Sequence, residues 1–265
     1  MSRPGQAVAR SRFWYTVSRA FLFYVSRLWF RFESEGREHM PAEGPVLLVG
    51  NHASYLDPPM MGVALSRQVN YLAQAGLASF GPLRWWLRQV GVTLINRDAP
   101  SKEALRVIGN SLKAGEVVGI FPEGTRSRDG RLLPFKSGVE FLVRRSKATV
   151  VPVGIDGTFR AYPRKAWFPR PKKVVVRVGE PWTWEQVLAE GGVEALRREV
   201  ARLARCELAE PRARRSDAER DPAHGKAASS SWAAEVDPDN TQSTYSASTS
   251  APLARPQNQP VDGGA

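Results

Sequence analysis

Four short stretches are apolar at nearly every consecutive position: VLLVG (46–50), EVVGIF (116–121), TVVPVGI (149–155) and KVVVRVG (173–179). Runs this short and this rich in β-branched residues read as buried strands. VNYLAQAG (69–76) is strand-like as well. The segments between them carry helical spacing. A helix is expected after Asp57, and a short amphipathic piece holds Trp85 and Trp86. Ser101 is placed to cap a helix whose Leu105, Ile108 and Leu112 share one face, and Gly115 stops it. Further helices are expected around Val139, Leu142 and Val143, and over Leu196, Val200 and Leu203, the last ending near Glu210. Strands alternating with helices predict an α/β fold: one domain with a mostly parallel central sheet flanked by helices.

Composition limits what this domain can do. The 265 residues hold 38 Lys and Arg against 26 Asp and Glu, a net charge of +12, so anionic partners are expected. The excess is uneven. From Pro211 onward six basic residues face seven acidic ones, which leaves that segment at −1 and the first 210 residues at +13. The same segment is rich in Ser, Ala, Pro, Gln and Asn, and is expected to be a disordered tail. The chain thus divides into an N-terminal amphipathic segment (1–33), a folded domain (34–210) and the tail (211–265). One cysteine, Cys206, forbids an intramolecular disulfide, and three scattered histidines leave no cluster of zinc spacing. No apolar run approaches the ~18 residues of a spanning helix, and none resembles a signal peptide.

Residues 13–32, FWYTVSRAFLFYVSRLWFRF, contain nine of the 25 aromatics. At ~100° per residue Arg12, Thr16, Arg19, Ser26, Arg27 and Arg31 fall in one sector, into which Phe23 and Phe30 intrude, opposite a broad aromatic face. This pattern suits a helix lying in a membrane interface, with Arg19 and Arg27 directed to the lipid surface. A helix packed against the domain is the competing reading. A second basic stretch, 157–178, has seven Lys and Arg and no acid, interleaved with Tyr162, Trp167 and Phe168. It suits a membrane-facing loop, a contact for an acidic carrier protein, a nucleic-acid patch or a plain solvated loop. Nucleic acid ranks last, because no DNA- or RNA-binding module accompanies the charge.

Two segments carry chemistry. NHASYLD (51–57) follows the first strand, and Asp57 precedes Pro58, the pattern of an N-cap with proline at N1. A helix starting at Pro58 leaves His52 in a loop able to fold back on the Asp57 carboxylate. An aspartate accepting from one imidazole nitrogen fixes the tautomer and leaves the other free to take a proton. The alternative is that Asp57 only caps the helix. The second segment, PEGTRSRDG (122–130), follows EVVGIF. Gly124 permits close backbone approach, Thr125 offers a hydroxyl, and Arg126 a planar fork suited to phosphate. Glu123 is read either as an acceptor for a substrate hydroxyl or as the partner of a nearby arginine. The spacing is not that of a nucleotide P-loop.

Taken together, NHASYLD (51–57), GVTLINR (91–97), FPEGTRS (121–127) and VPV (151–153) resemble, in order and spacing, the 1-acyl-sn-glycerol-3-phosphate (lysophosphatidic acid) acyltransferases, over about residues 30–180. The resemblance implies that His52 and Asp57 are catalytic and that Arg97, Gly124 and Arg126 bind the acceptor's phosphate. Leu94 stands where the family usually has an aromatic. It also implies that residues 13–32 seat the protein peripherally or monotopically on the cytoplasmic face of the cell membrane. The expected activity is esterification of lysophosphatidic acid to phosphatidic acid from acyl-CoA or acyl carrier protein. Glycerol-3-phosphate or another lysophospholipid is the alternative acceptor, and a non-catalytic lipid-binding module the alternative class. The chain lacks the G-x-S-x-G elbow of a serine acyl-enzyme, and Cys206 sits outside every motif, so direct attack by the acceptor hydroxyl with His52 as base is expected. That chemistry calls for no metal or redox cofactor.

Overall fold

The computed structural model describes residues 12–74, 81–95 and 101–210. Its centre is a seven-stranded sheet: β1 (Glu33–Glu35), β2 (Val46–Gly50), β3 (Val69–Gln74), β4 (Val92–Ile95), β5 (Val117–Ile120), β6 (Thr149–Asp156) and β7 (Val175–Val178). The order across the sheet is β1-β7-β6-β2-β5-β3-β4. Every neighbouring pair is parallel except β6 and β7. The mostly parallel α/β architecture is therefore the one expected.

Parallel strands need covering on both faces, which explains why the central runs are continuously apolar. Along β2, Val46 and Leu48 join a core with Met60, Met61, Val151 and Val153. Leu47 and Val49 point the other way, into a core with Leu112, Val118, Leu142, Val143, Leu196 and Val200. The first face is covered by α2 (Asp57–Ala64), and the second by α4 (Ser101–Lys113), α5 (Gly138–Ser146) and α8 (Gly192–Ala204). Helix α8 lies so close to β6 that a Cβ on Gly154 would stand 2.2 Å from the Ala204 nitrogen. Further helices are α3 (Gly81–Gln89), α6 (Thr158–Ala161) and α7 (Trp184–Ala189).

Two expectations need correcting. Helix α8 ends at Ala204, six residues before Glu210, where Arg205 turns into the left-handed region at φ 51°. Residues 207–209 instead run beside Leu132, with Leu132 N–H donating to Glu207 and Ala209 N–H donating to Leu132. Cys206 consequently lies beyond the helix rather than on it.

The second correction concerns α1 (Arg12–Trp29). Its aromatic face does not pack on the domain: Phe13, Val17, Phe21, Tyr24 and Leu28 are exposed, Leu28 at 83%. The opposite side is docked, with Leu22 packed against the first core and polar groups around it. Ser26 and Ser18 are buried, and Ser18 Oγ accepts from Trp86 Nε1 at 2.9 Å. Arg19 turns to the domain rather than to a lipid surface, while Arg27 stays exposed. Arg19 donates to the Leu65 carbonyl at 2.7 Å, and Arg27 to that of Phe32 at 3.1 Å. Among the described residues no helix is long and apolar enough to cross a membrane. The expected tail, 211–265, lies outside the described residues.

Candidate active site

Strands β2 and β5 are parallel neighbours, registered from Val46↔Val117 to Val49↔Ile120. The loops that leave their carboxyl ends therefore emerge side by side, the usual location of sites in open α/β sheets. One carries His52 and the other the PEGTRSRDG segment. They are fastened to each other. Ser127 N–H donates to the His52 carbonyl at 2.8 Å, and His52 N–H donates to Glu123 Oε1 at 2.5 Å.

His52 Nδ1 stands 2.9 Å from Asp57 Oδ2. A carboxylate only accepts, so Nδ1 carries the proton and Nε2 is left as the basic nitrogen. The same Oδ2 accepts the backbone N–H groups of Ala53 and Ser54, each at 2.7 Å. Asp57 is fully buried, and the helix begins at Asp57 itself with Leu56 as N-cap. Its carboxylate does not cap α2 but closes the 52–57 loop on itself, so the folded-back reading of the motif is the one realised. The imidazole is further held by Phe121, whose ring stacks on it at 4.4 Å. Asn51 anchors the start of the loop to β6, donating to Ile155 O and accepting from Ile155 N–H.

In the partner loop Gly124 sits at φ +67°, a conformation that strains any residue with a Cβ, and its N–H donates to Phe121 O. Gly124 and Thr125 are exposed. The Arg126 guanidinium lies 3.4 Å over the Tyr55 ring, and its buried Nη1 has no hydrogen-bond partner. A fork held on an aromatic face with an unused donor is equipped to take an anion. Arg97 lies outside the described residues, just past β4.

Neither sequence reading of Glu123 holds. The side chain is 3% exposed, and its two oxygens accept from His52 N–H and from Leu133 N–H at 3.0 Å. It is a tie between the two loops, not a substrate acceptor or an arginine's partner. Burial pushes its carboxyl up to about 8, against the lowering effect of those two amides. On the inner side of the site Cys206 shares with Asn51, His52 and Glu123 a gap too small for a water molecule. Burial and Glu123 push its thiol up to about 11, which keeps it protonated and a poor nucleophile.

The residues missed in the sequence are therefore Tyr55, Phe121 and Ser127, which position Arg126 and His52. Their signal was adjacency: each lies within a motif already singled out. Among the described residues no cluster of His, Cys, Asp and Glu is placed to hold a metal ion.

Residues 31–156, which include both loops, match the acyltransferase family. The match spans a little under half of the chain. Similar proteins include the chloroplastic 1-acyl-sn-glycerol-3-phosphate acyltransferase BAT2 of Brassica napus, 30% identical over 55% of this chain and 45% of that protein. The 1-acyl-sn-glycerol-3-phosphate acyltransferase of Bacillus subtilis is 28% identical over 55% of this chain and 70% of that one. The human beta form is 32% identical over 61% and 58% respectively. The chain thus spans less than half the length of the Brassica relative. The crystal structure of the LPA acyltransferase PlsC from Thermotoga maritima shares the fold, with a TM-score of 0.55 and 24% identity, covering 75% of this chain and 82% of that one.

Proposed function

We propose that the protein is an acyltransferase that esterifies the free hydroxyl of a lysophospholipid, 1-acyl-sn-glycerol-3-phosphate, from an acyl thioester, acyl-CoA or acyl carrier protein. The product is phosphatidic acid. The observation that carries this reading is the His52–Asp57 pair, fixed by loop amides and set beside a loop whose Arg126 keeps an unpartnered guanidinium nitrogen.

Nε2 of His52 takes the proton of the acceptor hydroxyl as its oxygen attacks the thioester carbonyl. The tetrahedral intermediate collapses with cleavage of the carbon–sulfur bond, and the departing thiolate takes the proton back from His52. Asp57 holds the imidazole in the tautomer this requires and stabilises the imidazolium in between. Arg126, with Arg97, holds the acceptor phosphate and so fixes the hydroxyl near His52. The exposed aromatic face of α1 rests in the bilayer interface where the lipid acceptor resides.

Purified protein incubated with labelled acyl-CoA or acyl carrier protein and a panel of lyso acceptors tests the reading. Diacyl product is expected from lysophosphatidic acid and is lost in His52→Ala. No product from any donor and acceptor, or near-normal turnover in His52→Ala, overturns it.

A further inference from the structure

The segment between α6 and β7 is a built surface rather than a loose loop. Arg170 N–H donates to Ala161 O at 2.7 Å, Lys172 N–H to Arg170 O, and Ala166 N–H to Pro163 O. At its tip Trp167 is 93% exposed and Phe168 59%. Side chains of that size are rarely left in water without a partner. Arg164, Lys165, Arg170, Lys172 and Lys173 surround them, all exposed, and no acidic residue occurs from Gly157 to Val178. Lys173 pairs with Glu33. Arg177, counted with this basic stretch in the sequence, is instead nearly buried and bonded to Glu35 and the Leu203 carbonyl.

The tip continues the outer face of α1. The Trp29 ring meets Phe168 edge-on at 6.0 Å, and Trp29 Nε1 donates to Pro169 O at 3.2 Å. Farther along α1, Trp14 meets Trp85 of α3 at 5.5 Å. A helix of 18 residues is about 27 Å long, so the exposed aromatics run from Trp85 to Trp167 as one strip. Basic residues stand around its Trp167 end.

We propose that the 162–173 loop is a second membrane-contacting element, in which Trp167 and Phe168 enter the interface of an anionic phospholipid leaflet beside α1. Arg164, Lys165, Arg170 and Lys172 meet lipid phosphates at its rim. Amphipathic aromatics at headgroup depth, ringed by basic charge, match this environment in both polarity and sign. An acidic protein would satisfy the charge but not the continuity with α1. The loop is also tied to the candidate site, because Ser54 Oγ donates to Tyr162 O at 2.8 Å. Ser54 follows His52 by two residues, so a docked loop braces the 52–57 turn.

The inference goes beyond the proposed activity, and its test needs no turnover. The full chain is sedimented with phosphatidylcholine vesicles, with and without 30% phosphatidylglycerol. Trp167→Ser/Phe168→Ser is expected to lower partitioning at least about tenfold on both kinds of vesicle. Arg164→Gln/Lys165→Gln/Arg170→Gln/Lys172→Gln is expected to weaken binding to the anionic vesicles by about fivefold per charge, with phosphatidylcholine binding unchanged. All six side chains are exposed, so the fold is retained. Wild-type binding by both variants overturns the proposal. So does weakened binding of acyl carrier protein in a pull-down with vesicle partitioning unchanged, which would assign the loop to an acidic protein.

Discussion

Replacing Glu123 with glutamine isolates a single buried proton. Its folded carboxyl sits at about 8 against an ordinary 4.5, because burial disfavours the charge more than the two amide donors favour it. Between those values the folded protein holds a proton that the unfolded chain has released. Stability from this group is therefore complete below pH 4.5 and declines as pH rises toward 8, by about 1.4 kcal/mol per pH unit at the steepest. From pH 5 to pH 8 the loss comes to about 3.5 kcal/mol. Glutamine does not titrate and nearly matches the neutral carboxyl in shape. Its amide nitrogen, however, cannot accept the backbone N–H that one carboxyl oxygen takes, so at pH 5 the variant is expected to be less stable by about 1–3 kcal/mol. By pH 8 that difference is expected to have moved by roughly 3 kcal/mol in the variant's favour. Urea unfolding of both at pH 5, 6, 7 and 8 provides the curves, and their difference cancels every other titrating group. Parallel curves would mean that Glu123 is ionised throughout, and the reasoning from burial would be refuted.

Asp57→Asn removes the acceptor that sets the His52 tautomer, and kcat is expected to fall on the order of 10²–10⁴-fold; activity within tenfold of wild type would separate Asp57 from the imidazole. Tyr55→Leu removes the platform under Arg126 and is expected to raise KM for the phosphorylated acceptor about two- to tenfold with kcat little changed. A change in kcat alone, measured by steady-state kinetics, would contradict that. Arg197 is buried and donates to the carbonyls of Leu132, Leu133 and Ala209 and to Glu194. Arg197→Met is expected to cost about 3 kcal/mol in denaturant unfolding, and a loss below 1 kcal/mol would show that those carbonyls find other partners.

The central strands were legible because burial on both faces leaves a continuous apolar run rich in β-branched residues, which the equally apolar AFLFYV (20–25) of α1 is not. The edge strand β1 was not: ESE has no strand pattern, and its pairing with β7 comes from tertiary placement alone. At the motif, the Asp-Pro signal located the helix start within one residue, and the carboxylate turns to His52 as the folded-back reading expected, not to the helix amides. Capping competes with the bonds to His52, Ala53 and Ser54, and three donors outweigh one. For α1 the helical wheel separated two faces correctly but could not say which was docked. The inner face is held by Ser18, Arg19 and Ser26, and side-chain polarity says nothing about a partner carbonyl such as that of Leu65. Glu123 was ambiguous for the same reason. Its second donor is the amide of Leu133, ten residues away and fixed only by the folded loop.

The adjacency of β2 and β5 also sets a timetable. Strand β2 ends at Gly50 and β5 begins at Val117, while its other neighbour, β6, is made later still. At ~5–20 residues per second of synthesis, VLLVG waits on the order of 3–13 s before its first ladder partner exists. During that interval the most apolar strand of the protein is unpaired. The aromatic stripe of α1 has by then already left the ribosome.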